Sequence, residues 1–242
     1  MLQVCLNGAR GRAEHPALPV SAEELATAAR AAVAAGAEDI HLHPKTPDGV
    51  DSLDPVVLAR AVACVREAVP GVPVGVTTGA WTAPDAAERA ALVRSWTVLP
   101  DTASVNWHEE GAERVAEALS ERGVGVEAGL FTGTDAVGRF LASGFARRVL
   151  RVLVEVVPGT AAAGGVGAAA GAEAAIAALE ELREGYRGAV LLHGEAEQAW
   201  PVLRLAAERG LDRRIGLEDT LTLPDGRRAP DNAALVRAAL AG

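Results

Sequence analysis

The chain has 242 residues, half of them hydrophobic, and a formal net charge of −9 at neutral pH. This length is ample for one large core, yet no uninterrupted apolar run approaches the roughly 20 residues that a membrane-spanning helix needs. The basic residues are scattered, so the sequence offers no electropositive surface for a nucleic acid. We therefore expect one domain over residues 1–242, with neither nucleic-acid nor membrane partners.

The cysteines, the first residues and the single lysine add smaller indications. Cys5 and Cys64 fall on apparent core elements, which favours buried thiols over a disulfide and fits a reducing cytoplasm. The opening run Leu2–Leu6 is too short and too uncharged for a signal peptide and is typical of a first strand. Lys45 is the only lysine among 23 basic residues, and a compositional bias toward arginine explains this most simply.

Short β-rich runs alternate with alanine-rich helical runs along the chain. Eight strands are predicted, near Leu2–Leu6, Asp39–His43, Val74–Thr77, Ala103–Asn106, Gly125–Ala128, Arg148–Val156, Ala189–His193 and Arg213–Leu217. A helical run follows each strand. The later helices are predicted at about Pro84–Ser95, Gly111–Arg122, Asp135–Ser143, Ala172–Tyr186, Trp200–Arg209 and Asn232–Ala241.

The first two helices have recognisable ends. Ser21 and Glu24 form a capping-box pattern, and the helix that they begin is predicted to close at Gly36. The dipeptide Asp54–Pro55 combines an N-cap with a first-turn proline, and its helix is predicted to stop at Pro70–Gly71. Because strands alternate with helices of this length, the sheet is expected to be parallel.

Eight such units favour a closed (β/α)8 TIM barrel, with a doubly wound open sheet as the alternative. No GxGxxG follows the first strand, which argues against the dinucleotide-binding form of that alternative. Active sites of the barrel fold lie at the C-terminal ends of the strands, so polar residues there are the first candidates for function. The stretch Gly159–Gly171 follows the sixth strand and is either a flexible loop or a cover over a ligand.

The triplet His41-Leu42-His43 is the sharpest functional signal. Residues two apart in a strand point to the same side, so both imidazoles are expected to face the barrel axis. Two imidazoles on one rigid strand make half of a tetrahedral zinc site. A pair of histidines with satisfied hydrogen bonds is the structural alternative.

Acidic residues at the end of the last strand complete the candidate site. Glu218 and Asp219 follow strand 8. In a closed barrel strands 2 and 8 both lie next to strand 1, so a carboxylate at the end of strand 8 can reach the two histidines on strand 2. Two histidines and one carboxylate leave coordination positions open, as catalytic zinc sites do. Arg214 is expected to point to the same side as Glu218 and to keep Asp219 or a substrate carboxylate ionised. An ordinary barrel salt bridge is the alternative for Arg214.

Further residues at strand ends are weaker candidates. Three polar residues either contact a ligand or have only a structural role, namely Glu127, Thr77 and Ser104. His193 is expected to be a core residue rather than a fourth metal ligand. His15 and His108 lie in predicted loops and are expected to face solvent. Two tryptophans that follow strands 3 and 4 either line the pocket or pack in the core, namely Trp81 and Trp107.

Taken together, these motifs resemble the β-keto acid cleavage enzymes over nearly the whole chain. The stretches that carry the resemblance are Asn7–Ala9, His15–Glu24, Gly36–His43, Thr77–Gly79, Ala103–Asn106, Val126–Glu127 and Arg214–Asp219. The resemblance implies one zinc ion on His41, His43 and Glu218, with Asp219 as general base and Arg214 orienting it. It also implies substrate contacts from Arg10, Thr77, Ser104, Asn106 and Glu127.

The family reaction resembles a two-stage Claisen exchange, in which a β-keto acid and acetyl-CoA give acetoacetate and a new acyl-CoA. The resemblance further implies a homo-oligomer, either a dimer or a tetramer. Typical members carry a glutamate at the substrate end where this chain has Arg10. Exchanging an anion for a cation there is expected to exclude an aminated β-keto acid and to favour an anionic or neutral side chain.

Two other functions are compatible with the same residues. An amidohydrolase-like metal hydrolase also uses a His-x-His strand end, but that class needs the triplet on the first strand and further histidines on later strands. Here the triplet lies on the second strand, and His193 is the one later strand histidine available. The other alternative is a catalytically silent barrel that binds a metabolite.

Overall fold

Eight parallel strands close into a barrel in the computed structural model, which describes residues 1–157 and 168–242. Each strand pairs with the next along the chain, and β8 pairs with β1 to close the ring. The predicted (β/α)8 barrel is thus confirmed and the open sheet is excluded. The strands are β1 (Leu2–Cys5), β2 (Asp39–Leu42), β3 (Val74–Thr77), β4 (Thr102–Asn106), β5 (Gly125–Phe131), β6 (Arg151–Val156), β7 (Ala189–Gly194) and β8 (Asp212–Ile215).

Helices surround the barrel and bury their apolar faces against it. In the described ranges they are α1 (Ala22–Ala34), α2 (Pro55–Ala68), α3 (Ala86–Ser95), α4 (Ala112–Glu121), α5 (Ala136–Ala142), α6 (Ala168–Leu182), α7 (Ala199–Glu208) and α8 (Asn232–Ala241). The predicted capping box is confirmed, because Ser21 accepts from the Glu24 amide while Glu24 accepts from the Ser21 amide. Asp54 caps α2 as predicted. None of the helices in the described part is long and apolar enough to cross a membrane.

A buried polar cluster fills the half of the barrel near the N-terminal ends of the strands. Arg151 lies 2.9 Å from Asp39 and forms a second, shorter ion pair with Glu127. Gln3 donates to Asp39 at 3.1 Å. Burial raises the pKa of Asp39 to about 6, although the nearby Arg151 charge opposes this shift. The cluster supplies partners for charges that would otherwise be costly in the barrel interior.

The position of Glu127 in this cluster corrects the prediction that it ends its strand. β5 continues to Phe131, so Glu127 lies in the middle of the strand rather than at its end. Its side chain is 0% exposed and pairs with Arg151.

Other strand boundaries differ by a few residues. β6 begins at Arg151 rather than Arg148, because a short 3₁₀ turn occupies Phe145–Arg147. β8 ends at Ile215, so Glu218 and Asp219 belong to the turn that follows it. Most of the Gly/Ala stretch predicted to be a loop or cover lies outside the described residues.

Candidate metal centre

A cavity of about 390 Å³ opens at the C-terminal ends of the strands. Most of the residues that line it are polar or charged, namely Arg10, Glu14, His41, His43, Thr77, Ser104, Asn106, Glu155, Glu195, Arg214 and Glu218. Its position agrees with the location of active sites in this fold. The cavity is therefore the candidate functional site.

Three potential metal ligands converge in this cavity. His41, His43 and Glu218 each offer one ligand atom, and these atoms all lie within 4.8 Å of one another. His43 Nε2 is 3.6 Å from Glu218 Oε1. β2 provides both imidazoles, whereas Glu218 arrives from the turn after β8 on the other side of β1. Closure of the barrel thus brings the two halves of the predicted site together.

Close backbone contacts hold these ligands in place. The Asn7 side chain bonds the backbone of His43 twice, donating to its carbonyl at 2.9 Å and accepting from its amide at 2.9 Å. Gly8 has φ +57°, and a Cβ there would lie 2.4 Å from Glu218 Cγ. At Gly216, a Cβ would lie 1.9 Å from the Cys5 carbonyl oxygen. Small residues are therefore required where the first and last loops meet.

The donor set fits a divalent metal. His41 Nδ1 and Glu218 Oε2 are buried and have no hydrogen-bond partner among the described residues, although buried polar atoms are normally paired. Burial lowers the pKa of His41 well below its usual value, which keeps that imidazole neutral as a metal ligand must be. Two imidazoles and a carboxylate are a common zinc set that leaves coordination positions open.

The charges of Glu218 and His43 are set by their neighbours. Burial alone would raise the pKa of Glu218, but Arg214 and His43 hold it well below its usual range. Burial alone would lower the pKa of His43, but Glu218 and Asp51 raise it to about 9. The carboxylates around His43 therefore favour a positive charge at this position. A divalent ion would supply that charge in place of the proton on His43.

Arg214 joins the candidate ligand to the candidate base. Its guanidinium donates to Glu218 Oε1 at 2.5 Å and, through Nε, to Asp219 Oδ1 at 3.0 Å. Asp219 is fully buried, and its Oδ1 also lies 3.3 Å from His193 Nδ1. Asp219 Oδ2 has no hydrogen-bond partner within the described part of the chain. The arrangement leaves one carboxylate oxygen of Asp219 available to accept a proton.

Glu155 and Glu195 also line the cavity. Glu195 follows the seventh strand, where polar residues are expected, whereas Glu155 was absent from the sequence-based candidates for the site. His193 connects this wall to Asp219, because its Nε2 lies 3.3 Å from Glu155 Oε2. Burial and the adjacent Glu155 charge raise the pKa of Glu195 to about 8. Glu155 is the one acid in the otherwise apolar run Val152–Val157, and an isolated charge in a buried strand is the signal that could have identified it.

We expect the ion pairs of His193 to stabilise the fold below about pH 9. Burial and Arg214 would lower the pKa of His193, but Glu155 and Asp219 raise it from 6.5 to about 9. Because the pKa of His193 is higher in the folded state, its protonated form stabilises the fold. This contribution is complete at pH values below the pKa of the unfolded state, and it is lost as pH rises through the pKa of the folded state. Unfolding in urea between pH 6 and 10 should show a loss on the order of 3 kcal/mol that a His193→Gln variant lacks. Equal pH profiles for the two proteins would contradict this.

The remaining predicted residues divide between cavity and core. Arg10, Thr77, Ser104 and Asn106 line the cavity, as does Trp81, whereas Trp107 is buried against Phe140. The prediction that His15 faces solvent is wrong. Its ring is buried, accepts from the Ala17 amide and lies 2.8 Å from the Ala229 carbonyl oxygen. His108 is half-buried, with its ring 4.5 Å from that of Phe131.

Comparison with known proteins identifies the family of this chain. The sequence profile of the beta-keto acid cleavage enzyme family matches residues 1–241. A 3-keto-5-aminohexanoate cleavage enzyme from Fusobacterium nucleatum subsp. nucleatum is 26% identical over 98% of this chain and 88% of its own length. A 3-oxoadipate:acetyl-CoA acetyltransferase from Cupriavidus necator is 32% identical over 80 residues, which cover 33% of this chain and 28% of that protein.

Two solved structures share the fold. The binary complex of ObcA with oxaloacetate aligns with a TM-score of 0.68 at 20% identity, covering 92% of this chain and 62% of the ObcA chain. The (S)-3-O-geranylgeranylglyceryl phosphate synthase from Thermoplasma acidophilum gives a TM-score of 0.53 at 12% identity, covering 100% of this chain and 92% of its own. At these identities the likeness shows the barrel alone.

Proposed function

This chain belongs to the beta-keto acid cleavage enzyme family, and on that premise we propose that it is a zinc-dependent member using acetyl-CoA. In the proposed reaction a β-keto acid and acetyl-CoA give acetoacetate and a new acyl-CoA. The observation that carries the proposal is the convergence of His41, His43 and Glu218 at the wall of the cavity. The name of the Cupriavidus necator relative supports acetyl-CoA as the second substrate.

Each charged side chain has a defined part in this proposal. A divalent metal, when bound by the three ligands, supplies Lewis acidity that makes the carbon between the two carbonyl groups more acidic. Asp219 accepts the proton from that carbon, and Arg214 holds Asp219 in position through a hydrogen bond. The resulting carbanion attacks the thioester carbon of acetyl-CoA. CoA thiolate then attacks the original ketone carbon, and the bond between that carbon and the deprotonated carbon breaks. The new acyl-CoA is released, and Asp219 returns its proton to the deprotonated carbon to give acetoacetate.

His193 lies between Asp219 and Glu155. Its Nδ1 is 3.3 Å from Asp219 Oδ1, and its Nε2 is 3.3 Å from Glu155 Oε2. In this proposal His193 and Arg214 hold Asp219 in position from two sides, and the proton that Asp219 takes up stays on it until the product carbon needs it.

The experiment that tests the function measures acetoacetate directly. The zinc-loaded protein is incubated with acetyl-CoA and a panel of β-keto acids that carry anionic, neutral or aminated side chains. We expect acetoacetate and a new acyl-CoA to form in equal amounts and only when both substrates are present. Loss of the keto acid without CoA would indicate the hydrolase instead, and bound zinc with no turnover on any panel member would indicate a silent barrel.

Arg10 is the residue expected to select the substrate side chain. It donates from Nε to the Glu218 carbonyl at 3.0 Å and pairs with Glu14 at 2.8 Å while lining the cavity. We expect Arg10→Glu to move the kcat/KM ratio of anionic over aminated substrates toward the aminated ones by at least about tenfold, or roughly 1.4 kcal/mol. Arg10→Met serves as the control for the lost backbone contact. An unchanged ratio in the glutamate variant would remove Arg10 from substrate selection.

A further inference from the structure

We propose that Asp51 is a positioning residue that fixes the metal-facing orientation of His43 and ties that ligand to the Trp81 wall of the cavity. The inference rests on the proposed metal-dependent function, but it concerns zinc binding and not turnover. Asp51 follows β2 in the sequence, eight residues beyond His43, and no sequence pattern singles it out.

One carboxylate oxygen of Asp51 contacts both rings. Oδ2 lies 2.7 Å from His43 Nδ1 and accepts from Trp81 Nε1 at 2.9 Å. An ionised carboxylate can only accept, so Nδ1 of His43 must carry the proton. The lone pair of the neutral ring is then on Nε2, the nitrogen that faces Glu218 at 3.6 Å. A carboxylate on the far nitrogen of a metal-binding imidazole fixes its tautomer and ring orientation.

The other oxygen of Asp51 is held by the only lysine in the chain. Lys45 forms a short ion pair with Asp51 Oδ1, and their backbones form an isolated antiparallel bridge. The two side chains are 1% and 5% exposed. Backbone bonds from Thr46 to Val50 and from Ser52 to Pro44 close the loop that carries them. Asp51 is therefore rigidly placed, as a residue that orients another must be.

Trp81 extends the same arrangement to the cavity. Its indole stacks on the His43 ring, with centroids 5.8 Å apart and planes inclined by 19°. Its side chain is 51% exposed, so solvent exclusion alone does not fix its position, and the hydrogen bond to Asp51 provides the anchor. A simple Lys45–Asp51 salt bridge would need only one oxygen. The second oxygen of Asp51 instead contacts His43 Nδ1 and Trp81 Nε1, and these contacts indicate that Asp51 positions the two rings.

Zinc affinity of the purified protein, measured by competition with a chromophoric chelator in the absence of substrate, tests the proposal. We expect Asp51→Ala to weaken zinc binding roughly 10- to 100-fold, because the imidazole loses its orienting partner. Asp48→Ala, the same change at an exposed position of the same loop, is the matched control and should leave the affinity unchanged. Trp81→Phe keeps a ring over His43 but lacks the donor, and it should cost less than about threefold.

The outcomes separate this inference from the function itself. If the wild type binds zinc and Asp51→Ala binds it equally well, the positioning role is wrong while the enzyme proposal stands. If Trp81→Phe weakens zinc as much as Asp51→Ala, Asp51 acts through the cavity wall and not through His43, and the proposal fails. If the wild type binds no zinc, both proposals fail. Should thermal melting show Asp51→Ala to be unfolded, Asp51→Asn replaces it, with roughly tenfold weaker binding expected.

Discussion

Replacing Glu218 with glutamine is expected to abolish stoichiometric zinc binding and to reduce kcat/KM at least about a thousandfold. Glu218 is the anionic member of the candidate ligand set, and a neutral amide is a poor ligand for a divalent cation at a site with two neutral imidazoles. The change removes the negative charge that pairs with one Arg214 nitrogen, but the amide oxygen can still accept from it, and Arg214 keeps its contact with Asp219. The fold should therefore survive the substitution.

Metal analysis after dialysis, together with the acetoacetate assay, measures both effects. Glu121→Gln is the matched control, because Glu121 lies on the outer surface of α4 in an exposed ion pair with Arg94. That variant should keep wild-type zinc content and activity. A Glu218→Gln protein that retains one zinc ion and normal turnover would exclude the proposed metal centre.

Replacing Arg151 with methionine is expected to cost about 3–5 kcal/mol of the free energy of unfolding. Arg151 is the cation between Asp39 and Glu127, and all three side chains are buried inside the barrel. Methionine of similar length fills the space but leaves two carboxylates without their charged partner. Breaking a buried ion pair in this way is costly because the remaining charges cannot return to water.

Urea unfolding at two pH values identifies the mechanism of this loss. Without Arg151 the pKa of Asp39 should rise further, so protonation of Asp39 relieves part of the penalty and the variant should recover stability as pH falls from 8 to 5. Arg94→Met removes an arginine from an exposed pair on α3 and should cost no more than about 1 kcal/mol. A loss below that level for Arg151→Met would show that the cluster is dispensable.

Local patterns were sufficient to predict the barrel and one half of the site. Strand and helix periodicities, with capping at Ser21 and Asp54, depend on neighbours within a few residues. The two-residue spacing of His41 and His43 placed both rings on one side of β2 for the same reason. The predicted boundaries failed where a tertiary contact extends or interrupts an element, as in β5, which continues to Phe131 beside β6.

Long-range contacts explain the residues that the sequence misassigned. His15 was expected in solvent, yet its ring bonds a carbonyl group 214 residues away in the loop before α8. Glu127 was expected at the cavity, yet Arg151 on the neighbouring strand draws it into the opposite half of the barrel. Neither partner is within reach of a local pattern, because each lies on an element that only the folded chain brings close.

The sequence by itself determined the alternation of strands and helices, and with it the end of the barrel at which polar residues collect. Only the tertiary structure decided which of those residues meet. Glu218 joins two histidines from a distant part of the chain because β1 pairs with both β2 and β8. The network of Asp51, Lys45 and Trp81 likewise depends on a loop folding back onto a strand end. Side-chain direction follows from local backbone geometry, whereas proximity across the barrel follows from its closure.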